Sequence, residues 1–337
     1  MKINKYIIIC ILFSNLNLAI SENNNFPLIA IDHCTNTNLA NEAPYLPAPD
    51  LIKFQHYKNV MLSHLFKPQH IVHDLILNEQ QPIMLHAKFA YDWFLHKALK
   101  DEYVHVYFFA DHTTQWLDFG KFKTDSNGEI FIPLKQKLLA GDYLVRIFVE
   151  GDGSIAEGFI SIISPKHQAI VFDIDGTLTL SDFELLKDLL SISIASPYYY
   201  ASEVLESYSQ KGYELIFLTA RPYWMATVSR DWLKNVLFHD PWPLKTRNTL
   251  LFREGTAQFK ANYLKDLIQE KHLTIVRAYG NAMTDIEAYN LAGIPKKDTF
   301  IIGPNAGKQG TNPIQKDYFN HYYNIVMPTP LAACRNN

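Results

Sequence analysis

The apolar positions between residues 70 and 164 fall into short runs of strand length. Turn signals such as Gly141-Asp142 separate these runs. Strand-length runs at this spacing are typical of a small antiparallel sandwich, so we predict an immunoglobulin-like β-sandwich domain over residues 70–164. The predicted strands are 83–89, 104–109, 116–122, 130–134, 143–149 and 159–163.

After Ser164 the pattern changes to apolar strands that alternate with helix-length segments. Strands that are separated by helices form a parallel sheet covered on both faces, so we predict an α/β domain over residues 165–337. Residues 182–197 leave room for a small cap or none. The predicted strands are 169–173, 214–219, 249–252, 274–279 and 299–302, and the predicted helices are 197–211, 223–236, 256–270 and 284–291.

The first 21 residues have the pattern of a signal peptide. A basic start precedes the apolar run at 6–13, and small residues follow near Ala19 and Ser21. The run is far shorter than the ~20 residues that a membrane-spanning helix requires. We therefore expect an exported chain, periplasmic or secreted.

Residues 22–69 are rich in Asn and Pro without a clear period, so we expect an extended N-terminal segment. Cys10 lies in the predicted signal peptide, which leaves Cys34 and Cys334 near the two ends of the mature chain. Two such cysteines form a disulfide in an oxidising compartment or stay free thiols, and the sequence leaves both open.

Composition narrows the classes of partner. Hydrophobic residues make up 48% of the 337, charged residues 19%, and the net charge is -3. These values favour a folded protein over a disordered one, and they give no reason to expect nucleic acid as a partner. The oligomeric state is not determined by the sequence.

Two carboxylates follow the first strand of the predicted α/β domain. Asp173 ends the strand, Asp175 lies two residues on, and Gly176 and Thr177 complete a tight loop. Ligands of such sheets bind at the carboxyl ends of the strands. Phosphate ester hydrolysis needs a nucleophile and a proton donor, and these two aspartates can supply both.

Further polar residues follow the later strands. Thr219 ends the second strand and is a candidate for holding phosphoryl oxygens, although a Thr before a helix is often only an N-cap. Lys260 is the preferred cation to face the phosphoryl group, and Lys265, one turn later, is the alternative.

The fourth predicted strand leads into Asn281 and then Asp285. Mg²⁺ prefers hard oxygen ligands, so Asp173, the Asp175 carbonyl and Asp285 are its predicted ligands, with Asn281 beside them on the phosphate. Gly176 is predicted to bring backbone close to the phosphate.

These four sites resemble the four motifs of the haloacid-dehalogenase phosphohydrolase superfamily, in the same order. The resemblance implies a Rossmann-like fold, Mg²⁺ as cofactor, Asp173 as nucleophile and Asp175 as acid/base. The narrower pattern is similar to the catalytic domain of lipin-type phosphatidate phosphatases, also seen in degenerate form in membrane-associated phosphatidylinositol transfer proteins. It covers about residues 166–310 and is carried by 173–182, Gly212-Tyr213, 219–221, Phe259-Lys260 and 280–293.

One departure from the lipin pattern weakens the substrate assignment. Ala282 stands where lipins usually have an arginine after Gly-Asn. The resemblance implies a phospholipid substrate such as phosphatidate, with a non-catalytic headgroup-binding protein and a phosphatase for soluble monoesters as alternatives. Trp242 beside Lys245 and Arg247 suggests peripheral membrane contact near the site.

Overall fold

The computed structural model of the chain describes residues 39–91, 97–111, 113–135, 137–180, 195–237, 243–247 and 255–333. Its N-terminal half is built from short strands whose alternate side chains enter a shared core. In 83–88, for example, Ile83, Leu85 and Ala87 are buried while Met84 is 48% exposed. The period of two explains why the sequence predicted the longer strands, whereas the short strands at 71–72, 75–78, 90–91 and 97–98 were not predicted. The ten strands are β1 Ile71–Val72, β2 Leu75–Asn78, β3 Ile83–Lys88, β4 Ala90–Tyr91, β5 Lys97–Ala98, β6 Tyr103–Ala110, β7 Leu117–Lys123, β8 Glu129–Leu134, β9 Gly141–Val149 and β10 Ile155–Ile163.

These strands form a three-stranded sheet, β1-β3-β8, a five-stranded sheet, β2-β10-β9-β6-β7, and the ribbon β4-β5. The prediction of a purely antiparallel sandwich is wrong for one pair, because β2 runs parallel to β10. The backbone N–H of Phe159 in β10 donates to the Asp74 carboxylate, which lies between β1 and β2. Asp74 thereby guides the chain from one sheet to the edge of the other.

The N-terminal segment is not extended throughout. It contains the helices α1, Leu39–Glu42, and α2, Tyr57–Leu65. The buried Glu102 carboxylate accepts the backbone N–H groups of Gln55 and His56 at the start of α2, so the segment is docked on the sandwich. The predicted signal peptide, Cys34 and Cys334 lie outside the described residues.

The C-terminal half contains one six-stranded parallel sheet in the order β13-β12-β11-β14-β15-β16. The strands are β11 Gln168–Phe172, β12 Glu214–Pro222, β13 Leu244–Arg247, β14 Thr274–Gly280, β15 Thr299–Ile302 and β16 Asn312–Ile314. The helices are α3 Ala201–Gln210, α4 Ala226–Val236, α5 Thr256–Lys265, α6 Met283–Leu291 and α7 Phe319–His321. A parallel α/β sheet preceded by a β-sandwich was predicted, and that fold class is confirmed.

The predictions differ from the structure at the edges of this sheet. The predicted third strand, 249–252, lies outside the described residues, and the strand that pairs with β12 is Leu244–Arg247. The edge strand β16 was not predicted, since it has only three residues and includes Pro313. A short strand with a proline carries little of the apolar pattern from which strands are predicted.

Helices and apolar side chains cover both faces of the sheet and form a hydrophobic core on each face. Residues of the sandwich contribute to one of these two cores. Ile76 of β2 and Ile163 of β10 pack with Val171 and Ile216 of the parallel sheet. At the same junction the buried Asp74 carboxylate accepts two hydrogen bonds from Arg230 of α4, each 3.0 Å. The two halves therefore share a continuous core. Within the described residues, no helix has the length and apolarity to cross a membrane.

Candidate active site

The carboxyl edge of the parallel sheet gathers the polar residues that were predicted to form a site. Asp173 follows β11 directly, and its backbone N–H donates to the carbonyl of Tyr279 in the neighbouring β14 at 3.0 Å. Asp285 comes from the first turn of α6, which follows β14. Lys260 comes from α5. Parallel strands end at one edge, so residues that are a hundred positions apart in sequence meet there.

A tight loop after β11 orients the Asp173 carboxylate. Gly176 adopts a φ of 71°, in the left-handed region that favours glycine, as the turn required. Its N–H donates to the Thr179 hydroxyl at 2.9 Å. The Thr177 hydroxyl donates to Asp173 Oδ2, also at 2.9 Å. The loop thus fixes one carboxylate oxygen of Asp173 by a hydrogen bond from within itself.

Lys260 joins the first and fourth motifs. Its Nζ lies 2.5 Å from Asp173 Oδ1 and 2.7 Å from Asp285 Oδ1. The three side chains are almost completely buried. Lys260 is therefore the lysine that reaches the aspartates, and Lys265, which was kept as an alternative, is not needed for this role.

The backbone after β14 fixes Asp285 from the other side. Its Oδ2 accepts the N–H groups of Asn281 and Ala282 at 3.1 and 3.0 Å. Gly280 makes room for it, because a Cβ at residue 280 would lie 2.6 Å from the Asp285 Cβ. The start of a helix also favours a negative charge. Hydrogen bonds from the backbone of its own loop thus hold Asp285 in place.

Burial and mutual charge set the protonation of this cluster. Burial raises the pKa of Asp173, and the carboxylates of Asp285 and Asp175 raise it further, while Lys260 opposes these effects. Burial alone would lower the pKa of Lys260, but the facing Asp173 and Asp285 carboxylates raise it above its ordinary value. The lysine stays charged, and Asp173 takes up a proton more readily than a free aspartate does, because one lysine cannot balance two ionised carboxylates.

The Asp175 carboxylate is bound by Arg221. Arg221 Nη2 donates to Asp175 Oδ1 at 2.6 Å, and Nε donates to Oδ2 at 3.0 Å. The Arg221 side chain is buried and also donates to the Ser229 hydroxyl of α4 at 2.8 Å. Thr219 donates to Asp175 Oδ2 at 3.2 Å. The structure thus brings Thr219 to the second aspartate.

Arg221 has a contact in the site that the sequence analysis did not assign, although the residue lay within the quoted motif. A signal was available, because side chains two residues apart on a strand point to the same side. Thr219 faces the first loop, so Arg221 does too. This spacing could not identify Asp175 as the partner of Arg221, since the Asp175 side chain can rotate to more than one position.

The remaining predicted residues lie beside the cluster or away from it. Asn281 is 8% exposed, and its carbonyl accepts a hydrogen bond from Asn305 at 2.9 Å. Trp242 lies outside the described residues. Arg247, one of the two basic residues considered for membrane contact, is only 4% exposed, and its guanidinium lies 5.1 Å from the ring centre of Phe259. Arg247 belongs to the core here.

The donor set can be tested against the predicted Mg²⁺. In the described part of the chain, no three His, Cys, Asp or Glu side chains are grouped as metal ligands. Asp173 and Asp285 are instead two carboxylates that share one lysine, and their oxygens are hard ligands. Mg²⁺ commonly takes one or two carboxylates and keeps several waters, so these residues fit it. A divalent cation would also balance the excess negative charge.

Comparison with known proteins covers both halves of the chain. Residues 68–162 match the family model "PITM 1-3, beta-sandwich domain", and residues 170–303 match "PITM 1-3, LNS2 domain". The two models follow one another in the order of the two folded regions. A solved phosphoserine phosphatase, a phospho-aspartyl intermediate analogue, aligns with 48% of this chain and 98% of its own at 15% identity and a TM-score of 0.35, too low to bear on fold or chemistry.

Several animal proteins are similar over most of this chain. Membrane-associated phosphatidylinositol transfer protein 1 of Rattus norvegicus is 28% identical over 268 residues, which are 77% of this chain and 20% of the relative. Human membrane-associated phosphatidylinositol transfer protein 3 is 27% identical over 72% of this chain and 24% of its own. Protein retinal degeneration B of Drosophila melanogaster is 28% identical over 76% of this chain and 19% of its own. The chain spans about a fifth of the length of these relatives.

The expected location is corrected by these relatives. Export to the periplasm or out of the cell was predicted from residues 1–21, and this prediction is wrong. Two of the three similar proteins are named as membrane-associated, and all three come from animals. A basic start and a short apolar run are weak signals, since few residues carry them. Over both of its folded regions, the chain is thus similar to the β-sandwich and LNS2 domains of membrane-associated phosphatidylinositol transfer proteins.

Proposed function

We propose that this chain is a Mg²⁺-dependent phosphatase that hydrolyses a phosphate monoester through a phospho-aspartate on Asp173, and that its substrate is a phospholipid such as phosphatidate. One observation carries the proposal. Lys260 Nζ lies between Asp173 and Asp285, 2.5 and 2.7 Å from their oxygens, in a buried cluster at the carboxyl edge of the sheet. Strongly perturbed, buried charges at such an edge favour a catalytic site.

In the first step an Asp173 carboxylate oxygen attacks phosphorus, and the bond from phosphorus to the leaving alcohol oxygen breaks. The Thr177 hydroxyl holds the other oxygen of Asp173, which fixes the direction of attack. Lys260 offers a positive charge next to the attacking carboxylate and the incoming phosphoryl oxygens. Positioning and charge neutralisation supply most of the catalysis in phosphoryl transfer.

Asp175 would transfer the protons. It gives one to the leaving oxygen, then takes one from the water that attacks phosphorus and releases phosphate from Asp173. Its carboxylate must first turn from Arg221, to which it is bound. That turn leaves Arg221 and Thr219 as donors for the phosphoryl oxygens, which supports the predicted role of Thr219.

The carboxylates of Asp173 and Asp285 and the carbonyl of Asp175 would hold the metal. When bound, Mg²⁺ neutralises charge on the phosphoryl oxygens and on the two aspartates. Lys260 and the backbone N–H groups that bind Asp285 keep the second carboxylate in place for it. The donor chemistry of the cluster supports this cofactor.

A lipid substrate is supported by two features. The relatives bear the names of phosphatidylinositol transfer proteins. The sequence of the four motifs also resembles lipin-type phosphatidate phosphatases. Ala282 replaces a lipin arginine, so contacts to the headgroup must come from other residues, with Met283 39% exposed beside it.

The second candidate function is lipid-headgroup binding without hydrolysis. The contact of Asp175 with Arg221 favours it, because a carboxylate held by a bidentate arginine is not ready to donate a proton. A phosphatase for soluble monoesters is the third candidate, and it shares the chemistry but not the substrate.

The deciding experiment measures phosphate release from phosphatidate in detergent micelles and from a panel of soluble monoesters that includes para-nitrophenyl phosphate. We expect release that requires Mg²⁺ and that Asp173→Asn lowers by at least about 10³-fold, because the nucleophile is lost. Asp266→Asn, a surface aspartate paired with Lys271, is the control and should retain activity. Binding of phosphatidate without release would favour the second candidate, and release from soluble esters alone would favour the third.

A further inference from the structure

A cluster of exposed aromatic side chains lies beside the candidate active site. We define the aromatic face as Leu180, Tyr199, Tyr200, Phe319 and Tyr323. Leu180 is 56% exposed, Tyr199 62%, Phe319 39% and Tyr323 48%. Large apolar side chains that are grouped and exposed mark an interaction surface more often than scattered ones do.

The aromatic face is a built surface in which the rings contact one another. The Tyr199 and Phe319 rings are stacked with centres 6.1 Å apart, and Tyr200 lies edge-on to Phe319 at 5.0 Å. The hydroxyls of Tyr200 and Tyr323 are 3.3 Å apart. Tyr200 itself has a φ of 67°, which is unfavourable for a bulky residue. The fold holds this arrangement at a cost in backbone energy.

Three hydrogen bonds in series link this face to the nucleophile. The Tyr318 N–H donates to the carbonyl of Tyr199 at 3.1 Å, and the Tyr318 hydroxyl donates to the carbonyl of Thr177 at 3.0 Å. Thr177 in turn donates to Asp173. Leu180 lies at the end of the same loop, where its N–H donates to the carbonyl of Ser196. The face is therefore connected through Tyr318 to the loop that carries the nucleophile.

We infer that the aromatic face docks on the surface of a lipid bilayer and so holds the mouth of the site against the headgroups. Tyrosines combine an apolar ring with a polar tip and are enriched at the membrane interface. The exposed parts of these five side chains amount to roughly 500 Å², which is less than the about 800 Å² that each partner buries in a stable protein complex. The area favours a lipid surface over a second copy of this chain.

The charge of the chain indicates which force would drive docking. None of the five residues is basic, and the net charge of the chain is -3. Attraction to anionic lipid therefore contributes little, and apolar contact must drive the docking. Binding should then change less than about twofold when salt rises from about 0.1 to about 0.5 M.

The test is sedimentation of the full chain with vesicles of phosphatidylcholine, alone or with phosphatidate. We expect Tyr199→Ser/Phe319→Ser to lower the partition coefficient at least about tenfold, and Tyr199→Trp/Phe319→Trp to retain binding. The control is Tyr45→Ser/Tyr57→Ser, which removes two more exposed rings, 88% and 77% exposed, in the N-terminal segment. It should bind as the unaltered chain does. Thermal unfolding by circular dichroism checks that each variant is folded.

Several results would overturn the inference. These are an unaltered chain that does not sediment with vesicles, a serine variant that binds undiminished, or an unaltered chain that is dimeric in light scattering while the serine variant is monomeric. The inference rests on the proposed function for its choice of lipid. Hydrolysis of para-nitrophenyl phosphate, a soluble ester, tests phosphatase activity independently of membrane docking. If vesicle binding depends on the face but no ester is hydrolysed, docking stands and the phosphatase proposal fails. If phosphatidate and para-nitrophenyl phosphate are both hydrolysed and the serine variant binds vesicles undiminished, the docking inference fails and the phosphatase proposal stands.

Discussion

Among the described residues, the aspartate and cation cluster at the junction with the sandwich and the one at the sheet edge differ in charge balance. At the junction with the sandwich, Asp74 faces one arginine, Arg230, and its oxygens also accept the N–H groups of Phe159 and Leu244. At the sheet edge, Asp173 and Asp285 share Lys260 alone. The first cluster is balanced, with one negative and one positive charge, and the second is not.

This difference separates a structural ion pair from a functional site. A balanced pair with satisfied oxygens fixes the position of two elements and has no need of a ligand. A cluster with surplus negative charge is expensive to bury and becomes favourable when a cation binds. We therefore expect changes at the sheet edge to alter activity and changes at the junction to alter stability.

Loss of the shared lysine should have the largest effect. Lys260→Met removes the cation beside the nucleophile, and we expect turnover of the phosphomonoester to fall by about 10³-fold or more, as for other cations on a transferring phosphoryl group. Steady-state phosphate release measures this. Lys265→Met, one turn later on the same helix, should retain turnover, and equal losses in both variants would contradict the assignment.

At the junction the expected loss is of stability. Asp74→Ala removes the buried carboxylate that binds Arg230 and the N–H groups of Phe159 and Leu244, which should lower the free energy of unfolding by about 3–5 kcal/mol. Urea unfolding followed by circular dichroism measures this loss. The fraction of Asp74→Ala that is folded should keep the turnover number of the unaltered chain. A normal stability with a lost turnover would contradict the structural role of the junction.

The junction should also weaken in acid. Burial, together with the nearby charges of His86, Lys245 and Arg230, lowers the pKa of His73 to about 3. The unfolded chain binds this proton near pH 6.5, so the contribution of His73 is complete above that pH and is lost as the pH falls. The free energy of unfolding should fall by about 3 kcal/mol between pH 6.5 and 4 on this account.

His73→Phe should make that dependence shallower. Its stacking partner His86 has a ring centre 4.3 Å away, and a phenyl ring can keep this contact without gaining a proton. Urea unfolding at several pH values provides the measurement. An unchanged slope in the variant would mean that His73 binds its proton equally in both states.

The smallest expected effect is at Gly280. A methyl group there would lie 2.6 Å from the Asp285 Cβ and push the carboxylate out of place. We expect Gly280→Ala to raise the Mg²⁺ concentration needed for half-maximal activity about tenfold, as for a disturbed metal ligand. Gly293→Ala is the control. Its backbone φ of 84° is strained for alanine, but the added methyl group has no atom within 4 Å. It should lose stability and keep its response to Mg²⁺.

The sequence predicted the site better than it predicted what surrounds it. Asp173, Lys260 and Asp285 each follow a strand, and parallel strands end together, so their meeting at one edge follows from periodicity alone. The turn of Asp175 toward Arg221 does not follow, because it depends on side-chain rotation within the site.

The contact of Asp74 with Arg230 at the junction was not predicted from the sequence, for a different reason. Asp74 and Arg230 are 156 positions apart, and neither lies in a motif, so only the packing of the sandwich on α4 brings them together. The edge strands and the helices of the N-terminal segment were missed because they are short. Short elements are stabilised by contacts that are distant in sequence, and a local pattern cannot show these.

The central claim is that Asp173 accepts the phosphoryl group. Rapid acid quenching during turnover, followed by protease digestion and mass spectrometry, tests it most directly. The account predicts a phosphoryl adduct on the peptide that contains Asp173, present only with Mg²⁺ and substrate and missing in Asp173→Asn. Turnover of substrate with no adduct on that peptide, or with an adduct on another residue, would contradict it.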